Sequence, residues 1–190
     1  MSDTTYEKFA GLRIYSQNVY KKYDWIYMLL EKRENLSDII LIQEPLWGLI
    51  RYAPSMTDEC GDPIIGMPSH PSWRCLYPKP ADQFSEFDRP RIAAYVHQHL
   101  WAMKPKLRSD VVKSCDIMLL TMNGPRGQLH MLNVYSDSTG SAIRALSTHE
   151  SIPSPIGYLG GDFNCRSDLW DLEYSRGNSP FTEVLADFTH

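Results

Sequence analysis

The chain has 190 residues, enough for one domain with a sizeable core. Apolar residues make up 43% and charged residues 22%, a globular balance, and Asp38 and Glu44 bracket the greasiest segment, so no run reaches membrane-span length. The formal net charge of -4 argues against a protein that holds nucleic acid by bulk charge alone, but it leaves room for a nuclease whose metal site needs carboxylates.

The start, Met1 to Thr5, lacks the basic residues and apolar stretch of a signal peptide, and an intracellular location, nuclear or cytoplasmic, is the default. Cys60, Cys75, Cys115 and Cys165 are scattered with no CxxC pair. That usage favours reduced thiols over disulfides and offers no zinc-ligand spacing.

Residues 1–10 read as a loose leader, and residues 11–190 as the domain. From Leu12 to Val19, Leu12, Ile14 and Ser16 alternate against Arg13, Tyr15 and Gln17, the period of a strand. Trp25, Met28, Leu29 and Leu30 recur at helical spacing, which predicts a helix over 21–32. Residues 38–42 are a continuous apolar run suited to a strand buried on both faces. Pro45 cannot extend a ladder, so Glu44 is expected at that strand's end.

Residues 48–72, rich in Pro, Gly, Ser and Asp, read as a long loop. A short strand over 73–77 follows, then a polar loop over 78–90. Two strands are expected over 91–98 and 100–106. Residues 115–122 and 128–135 form an expected hairpin across the turn residues Asn123 to Gly127. A helix over 138–148, a buried strand over 156–160, a turn over 161–164 and a helix starting at Thr182 complete the pass. Strands mostly follow strands, which points away from a doubly wound parallel sheet. The expected class is α+β: two packed, mainly antiparallel sheets with helices outside.

Four short segments end strands in polar side chains: Ser16-Gln17-Asn18, Gln43-Glu44-Pro45, Asn133-Val134-Tyr135 and Gly161-Asp162-Phe163-Asn164. Each could bring its last polar residue to one edge of a sheet, where sites are usually built. A lone Glu at a strand end is more often a surface residue, and Asn-Val-Tyr alone is ordinary strand chemistry. The two glycines before Asp162 permit a tight backbone turn, and Asp162 and Asn164, two apart, can point the same way.

Taken together and in this order, these segments resemble the endonuclease/exonuclease/phosphatase superfamily, from about Leu12 to Trp170. The segments Arg89 to Val96 and Asn164 to Asp171 are similar to those of fungal LINE-type retrotransposon endonucleases. The resemblance implies a DNase I-like four-layer sandwich. It implies Glu44 and Asn18 as ligands of Mg2+, with Mn2+ possible, and Asp162, Asn164 and Tyr135 as catalytic residues. Asp162 would orient or deprotonate the attacking water, and Asn164 and Tyr135 would hydrogen-bond the phosphate. Arg91 and Arg166 are the cations expected to face the substrate. That substrate would be DNA, nicked as part of a retrotransposon polyprotein. A phosphatase or lipid phosphodiesterase of the same superfamily is the alternative within the class.

The sequence departs from the family pattern in one respect. The later strand with its Asp, and the terminal Ser-Asp-His, have no match here. Phe188-Thr189-His190 has no Ser-Asp before the histidine, and His70, His97, His99, His130 and His149 sit in no such context. The expectation is a domain missing its last strands, weak or inactive as a nuclease, with an inactive binding module as the alternative from another class.

Overall fold

The computed structural model describes residues 11–57, 59–78, 89–125, 127–149, 151–165 and 182. Its elements in chain order are β1 (Ile14–Asn18), α1 (Tyr23–Arg33), β2 (Ile39–Gln43), β3 (Gly48–Ala53), β4 (Asp62–Gly66), β5 (Trp73–Leu76) and β6 (Ile92–His97). A 3-10 helix (Gln98–Met103) comes next, then β7 (Lys106–Leu107), β8 (Ile117–Gly124), β9 (Gly127–Tyr135), α2 (Ser141–Ser147) and β10 (Tyr158–Asp162).

Two four-stranded sheets carry the fold, in the orders β1-β2-β6-β5 and β10-β9-β8-β7. Each has one parallel pair, β1 with β2 and β10 with β9, and the remaining pairs are antiparallel. The expected α+β class with mainly antiparallel sheets is the one observed.

The continuous apolar run of β2 follows from its central place. Ile39 and Leu41 point at the second sheet and join Ile92, Ala94, Met118, Leu120 and Met131 in the inter-sheet core. Ile40 and Ile42 point the other way, onto Ile26 and Leu30 of α1. On the far side Ile117, Leu119, Leu132 and Val134 pack under Ala142 and Leu146 of α2. Helix, sheet, sheet and helix thus form four layers. Each fully buried Ile or Leu stabilises them by roughly 1.5–3 kcal/mol.

Three sequence expectations need correction. The loop expected over 48–72 contains the hairpin β3–β4, a separate two-stranded sheet with a register shift between Leu49 and Arg51. Leu49, Tyr52 and Ile65 are exposed there, so the hairpin lacks the alternating burial that marks a strand. The strand expected over 100–106 is the 3-10 helix. His97 caps it by accepting the His99 N–H, and Lys104 ends it in the left-handed region at φ 52. Only Lys106 and Leu107 then join the sheet. The last strand begins at Tyr158, later than expected, and runs on through Gly161 and Asp162, which were placed in the turn. Thr182 is helical and buried, while the rest of the helix expected there, the polar loop core over 79–88 and the leader over 1–10 lie outside the described residues.

Candidate functional site

The site forms where the C-terminal ends of both parallel pairs meet. In the first sheet Asn18 pairs with Gln43, and Glu44 follows Gln43 directly. In the second sheet Asp162 pairs with Tyr135. The two ends are joined across the core: Asn18 Nδ2 donates to Asp162 Oδ2 at 2.7 Å. Below it, Gln43 Nε2 donates to Asn133 Oδ1 at 2.6 Å and to Ser16 Oγ at 3.0 Å. Asn133 Nδ2 in turn donates to the carbonyls of Ile42 (3.1 Å) and Ala93 (3.0 Å). Gln43 and Asn133 are both almost fully buried, so this satisfied polar seam fixes how the sheets align under the site.

Tyr135 stands between the two acidic residues. Its hydroxyl is pushed up to about 12 by burial, by its hydrogen bond to Glu44 and the charge of Glu44, and by the charge of Asp162; Arg91 offsets part of this. The hydroxyl therefore keeps its proton at neutral pH and acts as a donor. Asn18, Glu44, Tyr135 and Asp162, from stretches far apart in the chain, thus converge. Glu44 lines one concavity, and Asn18 and Asp162 line another. One, of about 630 Å³, is lined by Lys21, Glu44, Trp47, Arg89, Arg91 and Asp116. The other, of about 470 Å³, is lined by Gln17, Asn18, Tyr20, Tyr158, Asp162 and Phe163.

The backbone here is unusual. Tyr20 (φ 49), Lys21 (φ 57), Glu44 (φ 47) and Asn164 (φ 47) all occupy the left-handed region, which side chains other than glycine rarely adopt. Such conformations persist where surrounding bonds over-determine them. The bonds are present: Tyr20 N–H donates to Asn18 Oδ1 at 2.9 Å, Lys21 N–H to the Glu44 carbonyl at 2.8 Å, and Glu44 N–H to the Arg91 carbonyl at 2.8 Å. Asn164 N–H faces Asp162 Oδ1 at 3.3 Å and its Nδ2 donates to the Ser136 carbonyl at 2.8 Å.

The glycines before Asp162 serve a different purpose from a turn. A Cβ on Gly161 (φ 149) would lie 1.9 Å from the Val134 carbonyl oxygen. Gly161 therefore lets β10 approach β9 closely enough to set Asp162 beside Tyr135.

Two arginines were expected to face the substrate. Arg166 lies outside the described residues. Arg91 lines the Glu44 pocket, but its guanidinium is turned onto Asp116 and Asp137, and burial notwithstanding, the Asp116 hydrogen bonds hold it firmly charged. Sequence reasoning missed Asp116, Asp137 and the sheet-aligning role of Asn133. The signal for Asn133 was its place two residues before Tyr135, on the same face of β9.

The donor set suits a hard cation. Glu44 and Asp162 supply carboxylate oxygens, and Asn18 Oδ1, bonded once to Tyr20 N–H, retains a lone pair. A second grouping of metal-type side chains, Glu31, Glu34 and His70, has its ligand atoms within 4.8 Å of one another. It sits at the C-terminal end of α1, the opposite end of the sheet from Glu44. There His70 Nδ1 accepts the Ser72 N–H at 3.1 Å, so Nε2 carries the proton and faces Glu31 at 3.3 Å. A nitrogen that carries its proton is not a metal ligand.

Fold and site together define the class: a two-sheet, four-layer α+β sandwich with polar side chains gathered at the strand ends. The endonuclease domain of TRAS1, a telomere-specific non-LTR retrotransposon, has a similar structure, with a TM-score of 0.61 and 14% identity over 93% of this chain and 70% of that one. A beta toxin from Staphylococcus aureus with bound magnesium ions matches at a TM-score of 0.40 and 12% identity, over 94% of this chain and 70% of the toxin. No protein-family model matches the chain, and no curated protein matches it in sequence. The first of these likenesses is one of fold. Among the described residues no helix is long and apolar enough to cross a membrane.

Proposed function

We propose that this chain is a divalent-metal phosphodiesterase domain that nicks DNA, as the endonuclease of a retrotransposon-like element does. The observation that carries the reading is the Asn18–Asp162 hydrogen bond at 2.7 Å, which ties together the strand ends that carry Glu44 and Tyr135. The likeness in fold to a retrotransposon endonuclease supports DNA as substrate over a small phosphoester or a lipid.

Asp162 is braced on both oxygens, by Asn18 Nδ2 and by the Asn164 N–H. A braced carboxylate can hold an attacking water in line and take its proton. Tyr135, protonated at neutral pH, would turn its one O–H from Glu44 to a non-bridging phosphate oxygen as charge develops there. Asn164 keeps its second amide hydrogen for the same task, the first being committed to Ser136. Lys21, on the wall of the Glu44 pocket, offers a cation to the phosphate. Glu44 and Asn18 would hold Mg2+ or Mn2+, which when bound polarises the phosphoryl oxygen and stabilises the leaving oxygen. Arg166 is proposed as a further substrate contact, and the remainder of a retrotransposon polyprotein as a partner.

The test is nicking of supercoiled plasmid with protein in excess. Slow relaxation that needs magnesium or manganese and disappears in Glu44→Ala and Asp162→Ala supports the reading. Equal nicking by Glu44→Ala removes it.

A further inference from the structure

Arg91 sits where the two halves of the site are tied together. Its backbone carbonyl accepts the Glu44 N–H at 2.8 Å, and its own N–H donates to the Cys115 carbonyl at 2.9 Å. The next residue, Asp116, accepts the Tyr135 N–H on its carbonyl at 2.8 Å. The residues that anchor the backbones of Glu44 and Tyr135 are also joined by their side chains. Arg91 Nη2 donates to Asp116 Oδ2 at 2.6 Å, Nε donates to Asp116 Oδ1, and Nη1 donates to Asp137 Oδ2 at 3.1 Å. The guanidinium carbon lies 5.0 Å from the centroid of the Tyr135 ring.

We propose that Asp116, with Asp137, is a positioning residue for the phosphodiester site: it locks the Arg91 guanidinium over the Tyr135 ring and so sets the Tyr135 hydroxyl against Glu44. The inference rests on the reading of that site given above. A fork is needed, because the guanidinium lies over the ring while its N–H groups reach two carboxylates, and a lysine ammonium offers no such fork. The alternative task for Arg91, gripping the substrate phosphate, conflicts with its surroundings. Two carboxylates already take three of its five N–H donors, and both would repel an approaching phosphate. Arg91 therefore works on the protein side of the pocket wall.

The test reads Tyr135 directly, in the full chain labelled at tyrosine Cζ, by NMR. Glu44→Gln reports the resonance of Tyr135 with its acceptor altered. Asp116→Asn is expected to move that resonance in the same direction, while Asp110→Asn, which breaks the exposed Arg108 pair, leaves it in place. An unmoved Tyr135 signal in Asp116→Asn overturns the proposal. If Asp116→Asn does not fold, Asp137→Asn leaves the Asp116 pair intact and is expected to give a smaller shift in the same direction; no shift there overturns it equally.

Single-turnover cleavage adds a readout that mere stabilisation would not move. Asp116→Asn is expected to slow the chemical step about tenfold or more through misplacement of the hydroxyl, with the half-saturating DNA concentration unchanged. The effect should vanish in a Tyr135→Phe background, and Arg91→Lys should not restore the rate. Weaker DNA binding at an unchanged rate would make Arg91 a substrate contact and overturn the proposal. A Tyr135 shift as expected, in a protein that cleaves no DNA under any metal, would sink the phosphodiesterase reading while leaving the positioning geometry standing.

Discussion

Asn18 and Asp162, 144 residues apart in sequence, are joined side chain to side chain at 2.7 Å, with the Asn18 amide as donor. This bond closes the site between the two sheets, and its chemistry is directional. Asn18→Asp would place a second carboxylate against Asp162, and like charges at hydrogen-bond distance repel. DNA nicking is expected to fall further in Asn18→Asp, which adds a like charge, than in Asn18→Ala, which only removes the donor. Equal rates in wild type and Asn18→Asp would contradict the donor role of Asn18.

The polar seam beneath the site makes a stability prediction. Asn133→Leu leaves the Gln43 amide buried with one acceptor fewer, and an orphaned buried donor costs about 1–3 kcal/mol. The urea midpoint is expected to fall accordingly. The double variant Gln43→Leu with Asn133→Leu should recover part of the loss, since neither partner is then stranded, although Ser16 Oγ loses its donor. Strictly additive losses would contradict the seam.

Gly161 permits the closest approach of β10 to β9. In Gly161→Ala the new methyl would overlap the Val134 carbonyl, which is backbone and cannot step aside. Overpacking of this kind costs typically about 1–3 kcal/mol, and the φ of 149 adds strain. The expected outcome is a lower urea midpoint together with loss of nicking. Gly48→Ala, at a position with open space, should leave both near wild type.

Asp38 lies at the opposite end of the first sheet. Burial is the largest single influence and pushes its carboxyl up, but the Arg13 side-chain and backbone hydrogen bonds, the Arg13 charge and the His99 charge together hold it below the usual range. Arg13 Nη2 and His99 Nε2 lie 3.0 and 3.2 Å from Asp38 Oδ1, and the nearby His97 is itself lowered by burial and by His99. A folded value below the unfolded one, near 3.9, stabilises the protein above that pH and loses the contribution as pH falls through the folded value. Asp38→Asn should therefore unfold more easily than wild type at pH 7, with the gap closing below about pH 4. A gap constant from pH 7 to pH 3 would contradict this.

How far the sequence reaches can be seen residue by residue. The meeting of Asn18, Tyr135 and Asp162 was legible because each is the last residue of its strand, with Glu44 directly after β2, and a strand's end fixes where its side chain emerges. The central strands were legible because β2 and β6 are apolar on both faces, as burial on both faces requires. The hairpin β3–β4 was not, since a two-stranded sheet with exposed Leu49, Tyr52 and Ile65 has no buried face to impose a period. Asp116 and Asp137 were not legible either. Their meaning comes from Arg91, which is 25 residues from one and 46 from the other, and no local pattern encodes such a pairing. The glycines before Asp162 were recognised as special, but a close strand approach and a tight turn leave the same letters.

The central claim is that Glu44 and Asn18 hold the divalent ion beside Asp162. Titrating Mn2+ into isotopically labelled protein tests it most directly, because the paramagnetic ion broadens the resonances closest to it. The account predicts broadening centred on Asn18, Glu44 and Asp162, abolished in Glu44→Gln. Broadening centred instead on Glu31, Glu34 and His70, or unchanged in Glu44→Gln, would contradict it.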